Sequence, residues 1–284
     1  MRAGIELGGT KTVVAIGNER GDVLEEIRYP TSDPATTLNR ACEWIAARGD
    51  PKSIGIAAFG PIVLQKNHEQ YGRLLATPKK NWQGASICEP ISRTFPKAKL
   101  ALDTDVNAAA LAEARVGAGA GVDDLVYITI GTGIGAGILT EGRLLHGTLH
   151  AEFGHLKVPR EPNDAFAGIC PFHGDCLEGM ASGPAIAARW NESADRLPAT
   201  HPAWELQAWY LAHGVLSLVA IVAPACVVIG GGVAQVEGLH QKIQTQLCRL
   251  SAGYFPLVED KNFIRAPMLG QQAGIIGALI LCDL

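Results

Sequence analysis

The sequence predicts an α/β protein made of two lobes of related design. Its 284 residues suggest two domains, at about 150 residues each. Short runs rich in valine and isoleucine, typical of strands, alternate with segments of helical periodicity. A predicted hairpin with a glycine-rich turn also opens each half of the chain, at Gly8-Gly9-Thr10-Lys11 and at Gly131-Thr132-Gly133-Ile134-Gly135. Two such hairpins indicate that the halves share one architecture.

The first half reads as one α/β lobe, and turn residues separate its elements. Gly49-Asp50-Pro51 ends the first helical pattern, and Gly60-Pro61 ends a continuous apolar strand. The predicted strands cover residues 2–7, 12–16, 23–28, 53–59 and 99–102, and the predicted helices cover 34–47, 87–95 and 106–116. Glycine and alanine then alternate over 117–121, as is typical of a hinge or lobe boundary.

The second half repeats this kind of alternation. Its predicted strands cover residues 125–130, 136–140 and 226–229, and its predicted helices cover 184–190, 204–221, 235–250 and 272–281. The last helix carries Gly274 and Gly277 three positions apart, where a neighbouring backbone could approach closely. The most apolar stretch, 215–222, is too short to span a bilayer and is predicted to be a buried helix.

The composition narrows the function classes. Apolar residues make up 48% and charged residues 18%, which excludes a disordered chain. A formal charge of −4 without a basic block disfavours nucleic acid and anionic membranes as partners. The odd count of seven cysteines argues against a fully paired disulfide framework, and no signal peptide precedes the first glycine turn. We therefore expect a cytoplasmic protein with reduced thiols.

Three glycine-rich segments have the composition of phosphate-binding loops. Backbone N–H groups without side-chain obstruction, together with a hydroxyl, can hold phosphate oxygens. The segments are Glu6 to Thr12, Gly131 to Gly135 and Gly230-Gly231-Gly232-Val233. Each taken singly is better explained as an ordinary turn, and none has the P-loop spacing. Their combination is what two facing lobes with ATP in the cleft would need.

A pair of carboxylates follows the predicted strand 99–102. Asp103 and Asp105 stand where ligands usually bind in an α/β lobe, and a carboxylate can take a proton from a sugar hydroxyl during phosphoryl transfer. The competing explanation is a helix N-cap, a favoured role for aspartate. From the residues alone, the cap is the better explanation for either.

A histidine and cysteine cluster predicts a structural zinc site. Cys170, His173 and Cys176 are separated by two residues each, and His155 can supply a fourth ligand. Zinc prefers such tetrahedral Cys and His sets, and a set without an open position is structural. The alternative is a group of unrelated residues, because five further cysteines are spread along the chain.

These elements, in this order, resemble the actin-like sugar kinases and, among them, the ROK (repressor, open reading frame, kinase) family. The resemblance is carried by Glu6-x-Gly8-Gly9-Thr10, by Asp105-Val106-Asn107, by Glu152-x-Gly154-His155 and by the Cys-x2-His-x2-Cys loop. That loop, Phe59-Gly60-Pro61-Ile62 and Thr77-Pro78-Lys79-Lys80-Asn81-Trp82 look like the fructokinase-like branch. The implied fold is the actin-like ATPase (ribonuclease H-like) fold, with two α/β lobes around a cleft.

The resemblance implies the lobes and the site residues. The lobes are a small one over 1–117, completed by 271–284, and a larger one over 118–270 with the zinc loop 155–176. Asp105 is the implied catalytic base, which leaves the cap to Asp103. The implied sugar-binding residues are Gly60, Pro61, Asp105, Glu152, His155 and Glu178. The implied ATP-binding residues are Glu6, Gly8, Gly9, Thr10, Lys11, Thr12, Gly131, Thr132, Gly133, Pro184, Gly230, Gly231 and Gly232. The zinc ligands are His155, Cys170, His173 and Cys176, and Mg²⁺ accompanies ATP near Glu6.

The implied activity is that of an ATP-dependent hexose kinase, a fructokinase that phosphorylates the 6-hydroxyl of D-fructose. The resemblance also implies a homodimer. Glucokinase, mannokinase or N-acetylmannosamine kinase activity stays open as an alternative. A non-kinase actin-like ATPase is disfavoured by carboxylates in sugar-contact positions. A sugar-responsive repressor is disfavoured because the first glycine turn begins within ten residues of Met1. His146 and His150 are expected to be loop residues, and Trp82 a packing residue.

Overall fold

The structure is a computed structural model that describes residues 1–77 and 79–284. Pro78 of the Thr77 to Trp82 motif lies outside the described residues. Its elements in chain order are β1 (Arg2–Leu7), β2 (Lys11–Gly17), β3 (Val23–Pro30), α1 (Pro34–Ala46), β4 (Ser53–Ala58), α2 (Cys88–Thr94), β5 (Lys99–Thr104), α3 (Asp105–Val116), β6 (Leu125–Ile130), β7 (Ile134–Thr140), β8 (Arg143–Leu144), α4 (Leu177–Ala181), α5 (Gly183–Trp190), α6 (Ala203–Val222), β9 (Cys226–Gly230), α7 (Leu239–Ser251), β10 (Ile264–Arg265) and α8 (Ala273–Leu281).

The chain forms two compact units. Unit 1 contains Met1–Ala112, Leu145–His150 and Gln271–Leu284, and unit 2 contains Glu113–Leu144 and Ala151–Gly270. The short segment 145–150 therefore belongs to unit 1, although the chain on both sides of it belongs to unit 2.

The two sheets have the same strand arrangement. In unit 1 the order is β3-β2-β1-β4-β5, and in unit 2 it is β10-β9-β6-β7-β8. Each sheet begins with an antiparallel hairpin, β1 with β2 and β6 with β7. The first strand of each hairpin then pairs in parallel with a later strand, β4 or β9. The related design predicted from the glycine-turn hairpins is confirmed at the level of strand order.

Helix α8 packs against the unit 1 sheet and against α3. Its Gly277 lies on the Ala108 backbone, so closely that a Cβ at this position would overlap the Ala108 carbonyl. Only glycine fits such an approach, and the close packing predicted for the last helix is therefore confirmed. The apolar core of unit 1 lies between the sheet and its helices, with Ile5, Ile54 and Ile56 fully buried.

Helix α6 is the central helix of unit 2. It extends over 20 residues, so the short apolar stretch predicted at 215–222 is only its second half. By length and composition it could cross a membrane, but half of its most apolar window is buried. Trp204, Tyr210 and Val215 are fully buried and belong to the unit 2 core. Within the predicted stretch, Val215, Leu218 and Val219 are buried, whereas Ile221 is 78% exposed, so the predicted burial is confirmed for only part of 215–222.

The helix predicted over 235–250 begins four residues later than expected. Residues 233–235 form a single 3₁₀ turn, and Gly238 has a φ of +79° before α7 begins at Leu239. A left-handed residue interrupts the α-helical hydrogen bonding, and the apolar spacing alone could not reveal this break.

Glu113 is a buried carboxylate near the start of the alanine and glycine segment. The residue has no exposed surface and accepts hydrogen bonds from the backbone N–H groups of Ala118, Met268 and Leu269, at 2.7, 3.1 and 2.9 Å. Such contacts satisfy an ionised group that burial would otherwise disfavour. Glu113 therefore ties two loops of unit 2 to α3.

Candidate active site

Three strands of unit 1 end at the same edge of the sheet. Leu7 of β1 is in register with Ala58 of β4, and Ala58 is in register with Thr104 of β5. Because these strands are parallel, the residues that follow them meet at one edge, where ligands bind in open α/β sheets. The first glycine turn, Gly60-Pro61 and Asp105 are therefore brought to this edge together.

The first glycine turn joins β1 to β2 as a hairpin in which Leu7 pairs with Thr12. Gly8 donates its N–H to the Lys11 carbonyl at 3.0 Å. The N–H groups of Gly9 and Thr10 make no hydrogen bond within the described part of the chain, and both residues are exposed. The turn thus has amide donors available for an anion.

Glu6 lies one residue before the end of β1 and carries a buried carboxylate. One of its oxygens, Oε2, has no hydrogen-bond partner among the described residues, and the side chain is held against Gly274 of α8. Burial and, next, the negative charge of Asp105 raise the pKa of Glu6 to about 7, against the charges of Lys11 and Arg28. An orphaned carboxylate oxygen beside a phosphate-type turn suits Mg²⁺, which prefers such ligands.

Asp105 is the first residue of α3, and Asp103 precedes it in β5. One oxygen of Asp105 accepts the N–H of Val106 at 2.9 Å. The prediction that Asp103 caps the helix is wrong. The Thr104 hydroxyl accepts the N–H of Asn107 at 3.1 Å, which is the geometry of an N-cap side chain, whereas Asp103 accepts from the Asn107 side chain at 2.7 Å.

Segment 145–150 supplies two histidines that the sequence placed only in a loop. His146 Nε2 lies 2.8 Å from the second oxygen of Asp103. His150 Nε2 accepts the N–H of Ile62 at 3.2 Å, and a Cβ at Gly60 would lie 2.9 Å from its ring. Both histidines thus fix residues next to Asp105 and Gly60. No local pattern could have revealed these contacts, because their partners lie far away in the sequence.

The second glycine turn, between β6 and β7, contacts two other candidate residues. Glu178 accepts the N–H of Ile134 at 2.9 Å, and a Cβ at Gly133 would lie 2.6 Å from its carboxylate. Gly183, the first residue of α5, donates to the Gly131 carbonyl at 2.8 Å. Pro184 follows in the first turn of this helix, whose N-terminus favours anions. Unit 2 therefore joins Gly131, Gly133, Glu178 and Pro184 in one cluster.

The third glycine segment follows β9 directly. Gly231 has a φ of +89°, and a Cβ there would overlap the Ile130 backbone at the end of β6. Glycine is required on both grounds. The segment Gly230 to Gly232 therefore lies beside the end of the strand that leads into the second glycine turn.

The predicted zinc ligands form one cluster. One donor atom from each of His155, Cys170, His173 and Cys176 lies within 4.8 Å of all the others. His155 Nδ1 is 3.8 Å from Cys170 Sγ and 3.6 Å from Cys176 Sγ, and His173 Nδ1 is 3.7 Å from Cys170 Sγ. A tetrahedral zinc with bonds of about 2.0–2.3 Å separates its ligand atoms by about 3.3–3.8 Å. The four residues therefore fit a zinc ion.

Glu152 lies next to this cluster, with a carboxylate oxygen 4.0 Å from His155 Nε2. Burial and the charge of Glu178 raise the pKa of Glu152 to about 7. The two glutamates thus share one negatively charged region between the zinc ligands and the second glycine turn, where hydroxyl donors would find acceptors.

Comparison with known proteins agrees with this architecture. The model of the ROK family matches residues 2–283. A fructokinase of Zymomonas mobilis is 39% identical, covering 98% of this chain and 94% of its own. A fructokinase of Streptococcus mutans is 36% identical, covering 98% and 95%. The crystal structure of a ROK hexokinase from Thermus thermophilus superposes with a TM-score of 0.80 at 27% identity, covering 99% of this chain and 97% of the other. The predicted α/β, actin-like fold is confirmed, and the chain belongs to the ROK family.

Proposed function

We propose that this protein is an ATP-dependent fructokinase that transfers the γ-phosphoryl group of ATP to the 6-hydroxyl of D-fructose. One observation carries the proposal: the β1, β4 and β5 register brings a turn with available amide donors and a carboxylate to the same sheet edge. Phosphoryl transfer needs these two elements, donors for the phosphates and a base for the hydroxyl. The fructokinases that share 36% and 39% of their residues with the chain support fructose as the acceptor.

Asp105 is the proposed base. It takes the proton from the attacking hydroxyl as the phosphorus–oxygen bond forms and the bond to ADP breaks. The Asp103 carboxylate at the strand end accepts a hydrogen bond from the Asn107 side chain and makes another with His146, so Asp105 starts from a fixed backbone. Gly60 and Pro61, which follow β4 at the same edge, are proposed to contact the sugar.

The glycine segments are the proposed ATP-binding elements. In unit 1, the available N–H groups of Gly9 and Thr10, the Thr10 hydroxyl and the Lys11 ammonium bind phosphate oxygens, and Gly8 shapes the turn. The predicted contact from Thr12 is wrong, because Thr12 is fully buried and its hydroxyl pairs with that of Thr31 at 2.8 Å. In unit 2, Gly131, Thr132 and Gly133 form the second phosphate-binding turn beside the N-terminus of α5. Pro184, which has no N–H to donate, contacts ATP through its ring, and Gly230 to Gly232 line the adenosine. Mg²⁺ would be held near Glu6 and would neutralise charge on the phosphates.

Glu152, His155 and Glu178 are the proposed sugar ligands of unit 2. The two carboxylates can accept hydrogen bonds from sugar hydroxyls, and the His155 imidazole, whose Nδ1 faces the cysteines, can donate one from Nε2; together they orient the sugar. A structural zinc, held by His155, Cys170, His173 and Cys176, would fix the loop that carries them.

We also propose that the protein is a cytoplasmic homodimer. The lobe boundaries at 117/118 and 270/271 stay predictions.

A coupled assay of ADP release with a panel of hexoses tests the activity. We expect fructose to be the best acceptor and Asp105→Asn to lower kcat by about 10²- to 10⁴-fold, the usual contribution of a general base. Asp50→Asn, at an exposed position of the same unit, is the matched control and should keep full activity. Undiminished phosphorylation of fructose by the Asp105→Asn protein would exclude Asp105 as the base.

Metal analysis of the purified protein tests the zinc site. We expect about one zinc per chain, and loss of that zinc in Cys176→Ser. Cys248→Ser is the control, because Cys248 lies outside the described cluster and should leave the zinc content unchanged. A wild-type protein that is folded and active without zinc would contradict the proposed structural role.

A further inference from the structure

The first glycine turn has all four of its carbonyl oxygens bound from within unit 1. Two of these bonds come from Thr31, whose hydroxyl donates to Gly8 at 2.8 Å and whose N–H donates to Thr10 at 2.9 Å. The Lys11 carbonyl accepts from Gly8. With the acceptors bound in this way, the amide donors of Gly9 and Thr10 are the groups that the turn leaves available.

The fourth carbonyl, that of Gly9, is bound by a charged side chain. Lys79 Nζ lies 2.5 Å from the Gly9 oxygen and 2.8 Å from the Thr31 oxygen. Lys79 belongs to the Thr77 to Trp82 motif, and its side chain contacts the first glycine turn. Partial burial lowers the pKa of its ammonium group.

The motif that carries Lys79 is anchored in the core. Trp82 is fully buried, its indole N–H donates to the Ser32 carbonyl at 2.7 Å, and its ring packs edge-on against Phe59 with centroids 5.4 Å apart. This anchor holds the motif next to residues 31 and 32. The contacts of Trp82 therefore fix the position from which the Lys79 side chain extends to the Gly9 carbonyl.

We propose that Lys79 is a positioning residue for the ATP phosphates: it holds the Gly9 carbonyl so that the turn presents its amide donors, and it places a positive charge beside them. An unbound carbonyl dipole next to a phosphate would repel it, and the ammonium removes that repulsion. The inference rests on the proposed function and deepens it, because it assigns phosphate binding to a residue outside the glycine segments.

The variant Lys79→Met removes the charge and keeps the length of the side chain. We expect ATP to bind about 10- to 100-fold more weakly, the effect of losing hydrogen bonds to a charged group. Binding of adenosine, which has no phosphate, should be unchanged, and so should KM for fructose. Lys79→Arg, which retains the charge in a larger planar group, should recover part of the ATP affinity.

Isothermal titration with ATP and with adenosine measures both affinities, and Lys97→Met, an exposed position of unit 1, is the control. The proposal is overturned if Lys79→Met binds ATP within twofold of the wild type, or if its affinities for ATP and adenosine fall equally. An equal fall would indicate a general structural defect, which a lowered melting temperature would also reveal. If the wild type binds ATP and does not phosphorylate fructose, the proposed function fails while this comparison still decides the role of Lys79.

Discussion

Replacing Glu6 with glutamine should stabilise the protein at neutral and alkaline pH. The Glu6 carboxylate is buried, one of its oxygens has no partner among the described residues, and Asp105 adds a second negative charge nearby. Glutamine has nearly the same shape and no charge. The substitution therefore removes the electrostatic cost and leaves the packing against Gly274 in place.

The size of the effect follows from the pKa of Glu6, which burial raises from 4.5 to about 7. A tenfold change in proton affinity corresponds to about 1.4 kcal/mol, so the ionised side chain costs the fold about 3 kcal/mol. The folded state binds the proton more tightly than the unfolded state does. The stability that Glu6 contributes is therefore complete below pH 4.5, declines as the pH rises to 7 and is lost above it.

Urea unfolding of the ligand-free wild type and Glu6→Gln at pH 5, 6, 7 and 8 measures this difference. Groups common to both proteins cancel, so the gain in unfolding free energy should grow from pH 5 and level off at about 3 kcal/mol near pH 8. In an Asp105→Asn background the gain should be smaller. Glu69→Gln, at an exposed position, should show no gain. Stability curves of wild type and Glu6→Gln that run parallel from pH 5 to 8 would refute the reasoning.

Three further substitutions test contacts that hold the site and its framework. His146→Ala removes one of the two side chains that bind Asp103 and should lower kcat/KM for fructose about tenfold, the effect of one hydrogen bond to a charged group, while KM for ATP stays constant in steady-state kinetics. Glu113→Ala leaves three partly buried N–H groups without their acceptor and should cost about 1–3 kcal/mol in urea unfolding. Gly277→Ala should destabilise the fold by about 1–3 kcal/mol, because the added Cβ overlaps Ala108. At an open helical position the same substitution would stabilise the fold by about 1 kcal/mol, so the direction of the change in melting temperature distinguishes the two cases.

The sequence was informative where local chemistry decides the structure. The hairpins at Gly8-Gly9 and Gly131 to Gly135 have glycine turns between short apolar runs, and these short-range signals predicted β1 with β2 and β6 with β7 correctly. The histidine and cysteine cluster was equally predictable, because three of its four members lie within seven residues of one another. Helix starts were harder to predict, since the start of α3 depends on the Thr104 hydroxyl and the start of α7 on the left-handed backbone of Gly238 rather than on periodicity.

The contacts that complete the site were beyond prediction because they join distant parts of the chain. Lys79 binds the carbonyl of Gly9, 70 positions earlier, and His146 binds Asp103, 43 positions earlier. Each depends on the order of strands in the sheet, which places β1, β4 and β5 side by side. A lysine or histidine in a loop has no periodicity, so its partner becomes visible only once the register is known.

The Glu6 carboxylate lowers the stability of the fold at the sheet edge where ATP and Mg²⁺ are proposed to bind. A buried carboxylate with an orphaned oxygen weakens the fold at the pH where enzymes work, and glutamine would remove that cost within the same space. Such a group is understandable if a cation binds it, because a bound charge supplies the partner that Oε2 lacks among the described residues. The two effects should therefore separate in Glu6→Gln: greater stability without ligand, and weaker stabilisation by MgATP. A variant that is both more stable and stabilised by MgATP as strongly as the wild type would show that the carboxylate has no part in binding the cation.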